Sequence, residues 1–171
     1  MEIRVLSIKK AIEDLKRINT SNIKIIIASS YDIDIDFISD NNKLILNFDD
    51  ITTRNKTSFN KSFAKEIHSF INNIDFEKYK LYICCDSGIS RSSAIAAAIL
   101  RKYNEDENLI WKDYNYHPNI LVYKILCDEF KLRNTEMRLR IKEKENIRAL
   151  RRQINKARKI SNNLFDKLLN I

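Results

Sequence analysis

The stretch CDSGISRS, residues 85–92, places a thiol, a glycine, an arginine and a serine within eight positions. The glycine is the single one in 171 residues, where ordinary usage would supply about a dozen. An apolar run, KLYIC (80–84), precedes the stretch, and SAIAAAILRKY (93–103) follows it. This order predicts a strand, a short loop and a buried helix. In such a loop successive backbone N–H groups form a nest for an anion, and the helix adds its positive N-terminal end. The bend needs a residue free to take φ > 0 or to bring backbone close to the ligand, which is the role of Gly88. Cys85 opens the loop and Arg91 closes it. A thiol among N–H donors, a helix N-terminus and a guanidinium ionises readily, which makes Cys85 a nucleophile. The planar fork of Arg91 matches two phosphate oxygens. Ser92 can donate a hydrogen bond to the sulfur and help it leave a phosphocysteine. The predicted phosphate-binding loop is Asp86, Ser87, Gly88, Ile89, Ser90 and Arg91. Asp86 is expected to point away from it, since a carboxylate inside the nest would repel the ligand.

These residues resemble the C-x5-R-[S/T] signature of the cysteine-dependent protein tyrosine and dual-specificity phosphatases. IRVLS at the start, FDDI, CDSGISRSSAIAAAI and HPNILVYKIL together look like a small bacterial and phage branch of that superfamily, over most of residues 1–131. The resemblance implies attack by Cys85 on phosphorus, a phosphocysteine intermediate, Arg91 stabilising the transition state, and release by water, with no metal or cofactor. It also implies a general acid on a loop upstream of the cysteine. NFDDITTRN lies there, one helix and one strand before Cys85, and Asp50 is favoured over Asp49. The pattern is broken at Cys84, where the family usually has histidine. Cys84 is expected to be the buried last residue of the strand, with trapping of an oxidised Cys85 as the alternative role. His68 and His117 have no ligand-like neighbours in sequence and are expected to be structural or exposed.

The elements that must position this loop follow from apolar patterning. EIRVL reads as a strand, Ser7 as the cap of a helix carrying Ile8, Ile12, Leu15 and Ile18, and IKIIIAS (23–29) as a strand buried on both faces. DIDIDFI (32–38) is either an edge strand or an ordered loop, and KLILNF (43–48) is another strand. A helix is expected after Ser58 with Phe59, Phe63, Ile67, Phe70, Ile71 and Ile74 on one face. Another has Pro118 in its first turn and carries Ile120 to Phe130. Strands alternating with helices predict a single-domain α/β fold of three layers, with a mostly parallel central sheet. A long basic C-terminal helix follows.

Charge divides the chain. Residues 132–171 hold 12 of the 31 Lys and Arg but 4 of the 23 Asp and Glu, so residues 1–131 are neutral and the net +8 resides in the tail. The expected division is a phosphatase domain over 1–131 and a basic helical tail over 132–171. In the tail Ile147, Leu150, Ile154, Ala157, Leu164, Leu168 and Ile171 follow a 3-4 spacing, with Ser161 at the missing step. Three readings stand: a solvated helix with a packing stripe, a homodimer seam, and an RNA-binding face. Three cysteines, two of them adjacent, fit a reducing cytoplasmic setting. No run approaches the length of a membrane span, and the start lacks the apolar block of a signal peptide, so no membrane partner is expected.

Three functions compete. The first is a phosphomonoesterase of dual-specificity type acting on phosphotyrosine or phosphoserine/threonine substrates, because a body this small lacks room for a deep tyrosine pocket. Absence of lysine from the loop gives no sign of a phosphoinositide preference. The second is an RNA 5′-triphosphatase, and the third a non-catalytic domain that binds phosphorylated partners.

Overall fold

In the computed structural model residues 1–169 are described, with side chains to residue 161. Four strands form one sheet: β1 (Ile3–Ser7), β2 (Ile23–Ser29), β3 (Lys43–Asn47) and β4 (Lys80–Cys85). Their order is β1-β4-β2-β3, and every pairing is parallel. Ser7 and Ala28 lie in register with Cys85, and Ser29 with Asn47, so all four strands end along one edge.

Side chains alternate across a strand, and this sorts β2 and β4 between two cores. Ile26, Ala28, Leu81, Ile83 and Cys85 face the larger core. It is covered by α2 (Lys61–Asn72), α3 (Arg91–Lys102), the short α4 (Asn108–Trp111) and α5 (Ile120–Glu129). Ile25, Ile27, Tyr82 and Cys84 face the smaller one. There α1 (Ile8–Leu15) and the segment around Ile35 and Ile38 complete the third layer. The expected three-layer α/β fold is observed, and its sheet is wholly parallel.

Of the two readings for residues 32–38 the ordered loop is observed: Ile35 and Ile38 are anchored in the smaller core while the backbone runs through turns. Several boundaries differ from the sequence expectation. The second helix begins at Lys61, because Asn60 is its cap and accepts from Ser62 N. Ser58 instead closes the preceding loop, accepting from Asn55 N and donating to Asn55 O. Pro118 lies outside α5, whose cap is Asn119. Leu15 ends α1, leaving Ile18 exposed.

Scarcity of glycine leaves a visible mark. Helices commonly end on a glycine in the left-handed region, but here Asn104 after α3 and Lys131 after α5 take it, both at φ 58°. Only Gly88 is kept, at φ 74°. A Cβ on Gly88 would lie 2.4 Å from Ser7 N and 2.5 Å from Leu6 C. Helix ends can accept a strained asparagine or lysine at a cost of about 1–2 kcal/mol. Backbone overlap against β1 has no such remedy.

The basic helix α6 (Glu136–Leu169) is docked over its first turns. Leu139, Lys142, Asn146 and Ala149 are buried. Glu107, itself buried, receives Arg138 and also bonds Tyr123 and Trp111. Asn146 donates to Tyr116 O (2.8 Å) and Trp111 O (3.3 Å). Further along, Ile147, Leu150, Ile154 and Ile160 are exposed; the seam positions Leu164, Leu168 and Ile171 lie outside the described side chains. Among the described residues no helix is long and apolar enough to cross a membrane. A chain ending at Arg133 would strip the buried Glu107 of its cations, a change that costs about 3–5 kcal/mol. Its melting temperature should fall about 10 °C below that of the full protein. Thermal unfolding of both checks this.

Candidate active site

At the carboxyl end of β4 the chain turns through residues 86–90 and enters α3 at Arg91. Two packing facts fix the turn. Gly88 lies flat against the end of β1. The carbonyls of Ile89 and Ser90 face outward, accepting from His117 N (3.0 Å) and Asn119 N (3.2 Å), and Ser93 Oγ also reaches both.

Cys85 sits at the base of the loop, 1% exposed, with its Sγ 3.0 Å from the hydroxyl of the buried Ser92. Arg91 is 3% exposed. Its Nη1 donates to Phe48 O (2.7 Å) and Ser30 Oγ (3.0 Å), groups just beyond β3 and β2. Its Nη2 donates to Asp86, and its Nε is buried with no partner among the described residues. Asp86 therefore turns toward the loop's arginine rather than away from it. The attraction of a buried guanidinium outweighs the repulsion that the sequence reading anticipated.

The two candidate acids are separated by the fold. Asp50 Oδ1 accepts from Ser90 Oγ (2.8 Å) and from Asn119 Nδ2 (2.7 Å), and its other oxygen has no partner among the described residues. Asp49 is held by its backbone instead: its N–H donates to Thr57 O (2.8 Å), and it bridges to Ser58. Asn119 was not singled out by sequence, although an asparagine before an apolar helix is a cap signal. It performs two tasks. Its Oδ1 accepts from Leu121 N and Val122 N to start α5, and its Nδ2 donates to Asp50 and Ile51 O.

The other cysteines and the two histidines are engaged in packing or in hydrogen bonds. Cys84 points into the smaller core, on the sheet face opposite Cys85. Burial, reinforced by the neighbouring Cys85, pushes its thiol well above the usual range. Burial likewise raises Cys127, to about 11. His68 bonds Glu129 (3.1 Å), and His117 bonds Asn146 of α6 (2.9 Å).

Two hollows flank the loop. One, of about 200 Å³, is lined by Asp50, Thr52, Ser90, His117 and, from α6, Glu143 and Asn146. The other, of about 570 Å³, is lined by Asp86, Lys9, Glu13, Asp32, Tyr31 and the isoleucines at 8, 12 and 33.

No protein-family profile and no curated relative matches the chain. Solved structures do. DUSP15 aligns with a TM-score of 0.54 at 19% identity, over 83% of this chain and 90% of that one. The PTP-2 phosphatase of Cydia pomonella aligns with a TM-score of 0.51 at 18% identity, over 74% and 84%. The chain thus shares the fold of these two phosphatases, a parallel sheet flanked by helices, and its C-x5-R loop leaves the central region of that sheet.

Proposed function

We propose that the protein is a cysteine-dependent phosphomonoesterase of dual-specificity type, acting on phosphorylated protein or a related phosphate ester. One observation supports it above the others: Cys85, Ser92, Arg91 and Asp50 converge on a single loop, with Asp50 bonded to Ser90 of that loop. Cys85 thiolate attacks phosphorus as the bond to the leaving oxygen breaks, and Asp50 transfers a proton to that oxygen. Arg91 and the loop N–H groups hold the equatorial oxygens, whose charge is best matched in the transition state. In the second half Asp50 takes a proton from water as it attacks the phosphocysteine. The departing thiolate is received by the Ser92 hydroxyl.

A substrate panel tests this: aryl phosphate, phosphotyrosine and phosphoserine peptides, and triphosphorylated RNA, with EDTA throughout. Turnover of the monoesters in preference to RNA is expected. The hollow beside Asp50 is lined by a second carboxylate, Glu143, and by no Lys or Arg, which suits an extended polyphosphate poorly. Selective release of γ-phosphate from RNA would shift the reading to the triphosphatase. Binding of the phosphopeptides without any turnover would shift it to the non-catalytic domain.

A further inference from the structure

Arg91 is already anchored without Asp86. Its Nη1 is tied to Phe48 O and Ser30 Oγ, two acceptors at the end of the sheet. What Asp86 adds is a negative charge on Nη2, the group that with Nε forms the fork able to clamp two phosphate oxygens. Two orphaned atoms accompany the contact. Arg91 Nε and Asp86 Oδ1 are both buried and without partners among the described residues. A purely structural buried ion pair satisfies its remaining donors and lone pairs, because leaving them bare is costly. Here the fork is half filled and the carboxylate half satisfied. The side chain of Asp86 is also partly exposed, unlike that of Arg91. It borders the 570 Å³ hollow, whose charged lining is Lys9, Glu13 and Asp32, so the carboxylate has room if it leaves, among charges of both signs.

Building on the phosphatase reading, we propose that Asp86 is an internal competitor of the substrate phosphate. Its carboxylate occupies part of the Arg91 fork in the empty site, and an incoming phosphate dianion displaces it toward the hollow beside α1. The site thereby binds dianions more weakly than a C-x5-R loop without an acid at this position. This raises KM while leaving the chemical step, in which the fork is already on phosphate, nearly unchanged.

The test uses the full chain and inorganic tungstate, a tetrahedral dianion, titrated by calorimetry into wild type, Asp86→Asn and Asp86→Ala. Both variants are expected to bind about tenfold tighter than wild type, and KM for aryl phosphate should fall by a similar factor with kcat within about twofold. Tighter binding is a result that loss of a structural contact does not produce. If a variant with an intact melting transition binds tungstate as weakly as wild type or more weakly, Asp86 serves to place the guanidinium and the proposal fails. Two substitutions are used so that a folding defect in one leaves the other to decide. If wild type and both variants all fail to bind tungstate, it is the phosphate-loop reading that fails.

Discussion

Cys85→Ser is expected to lower aryl phosphate turnover by at least about 10 000-fold while leaving the fold intact and oxyanion binding largely so. The serine hydroxyl can keep a bond to Ser92 in place of the 3.0 Å sulfur contact, so the loop should keep its shape. It cannot replace the thiolate, because an alcohol in the same surroundings stays protonated. Arg91→Ala should behave differently, losing both tungstate affinity and rate, with kcat/KM down by about a thousandfold. In the proposed mechanism Arg91 holds the phosphate oxygens in the ground state and the transition state alike. It also ties the loop to Phe48 O and Ser30, so some thermal destabilisation should accompany this variant. Stopped assays with the purified variants, checked by circular dichroism and tungstate titration, give both readouts. Activity persisting in Cys85→Ser would falsify the covalent mechanism.

Asp50→Asn is expected to slow substrates with poor leaving groups, such as alkyl phosphates, by about 100- to 10 000-fold. Nitrophenyl phosphate should be affected far less, because nitrophenolate leaves without a proton. The asparagine can still accept through its carbonyl oxygen from Ser90 and Asn119, the partners at 2.8 and 2.7 Å, so the loop need not move. The basic limb of the pH–rate profile should disappear, since that limb reports the loss of the acid's proton as pH rises. Asp49→Asn should behave as wild type on every substrate, because among the described residues it is Asp50, and not Asp49, whose carboxylate is hydrogen-bonded to the loop. Wild-type rates for Asp50→Asn on an alkyl phosphate would place the acid elsewhere.

The candidate loop and its strand–helix setting were legible because their signal is local. Cys85, Gly88, Arg91 and Ser92 fall within eight positions, and their flanks read as strand and buried helix from apolar runs alone. A bend this tight leaves no alternative to glycine, so the single glycine pointed to the site without any tertiary information. The parallel sheet was equally readable, since strands buried on both faces must be nearly uninterrupted apolar runs.

What spacing could not decide depended on partners far along the chain. Asp50 and Asp49 are neighbours of identical chemistry; only contacts with Ser90 and Asn119, 40 and 69 positions away, bring one of them to the loop. The acceptors that hold Arg91 were invisible for another reason, as the Phe48 carbonyl belongs to the backbone and carries no side-chain signature. Asp86 was misjudged because its repulsion of phosphate is evident from sequence, whereas its attraction to Arg91 appears only once both share one turn. The 32–38 segment alternates like a strand, yet no neighbouring edge pairs with it, and its buried isoleucines serve as plugs. The tail shows the same limit. Its charge and period define a helix, but the docking of Leu139, Asn146 and Ala149 depends on a surface built by α4 and α5, which exists only after the body has folded.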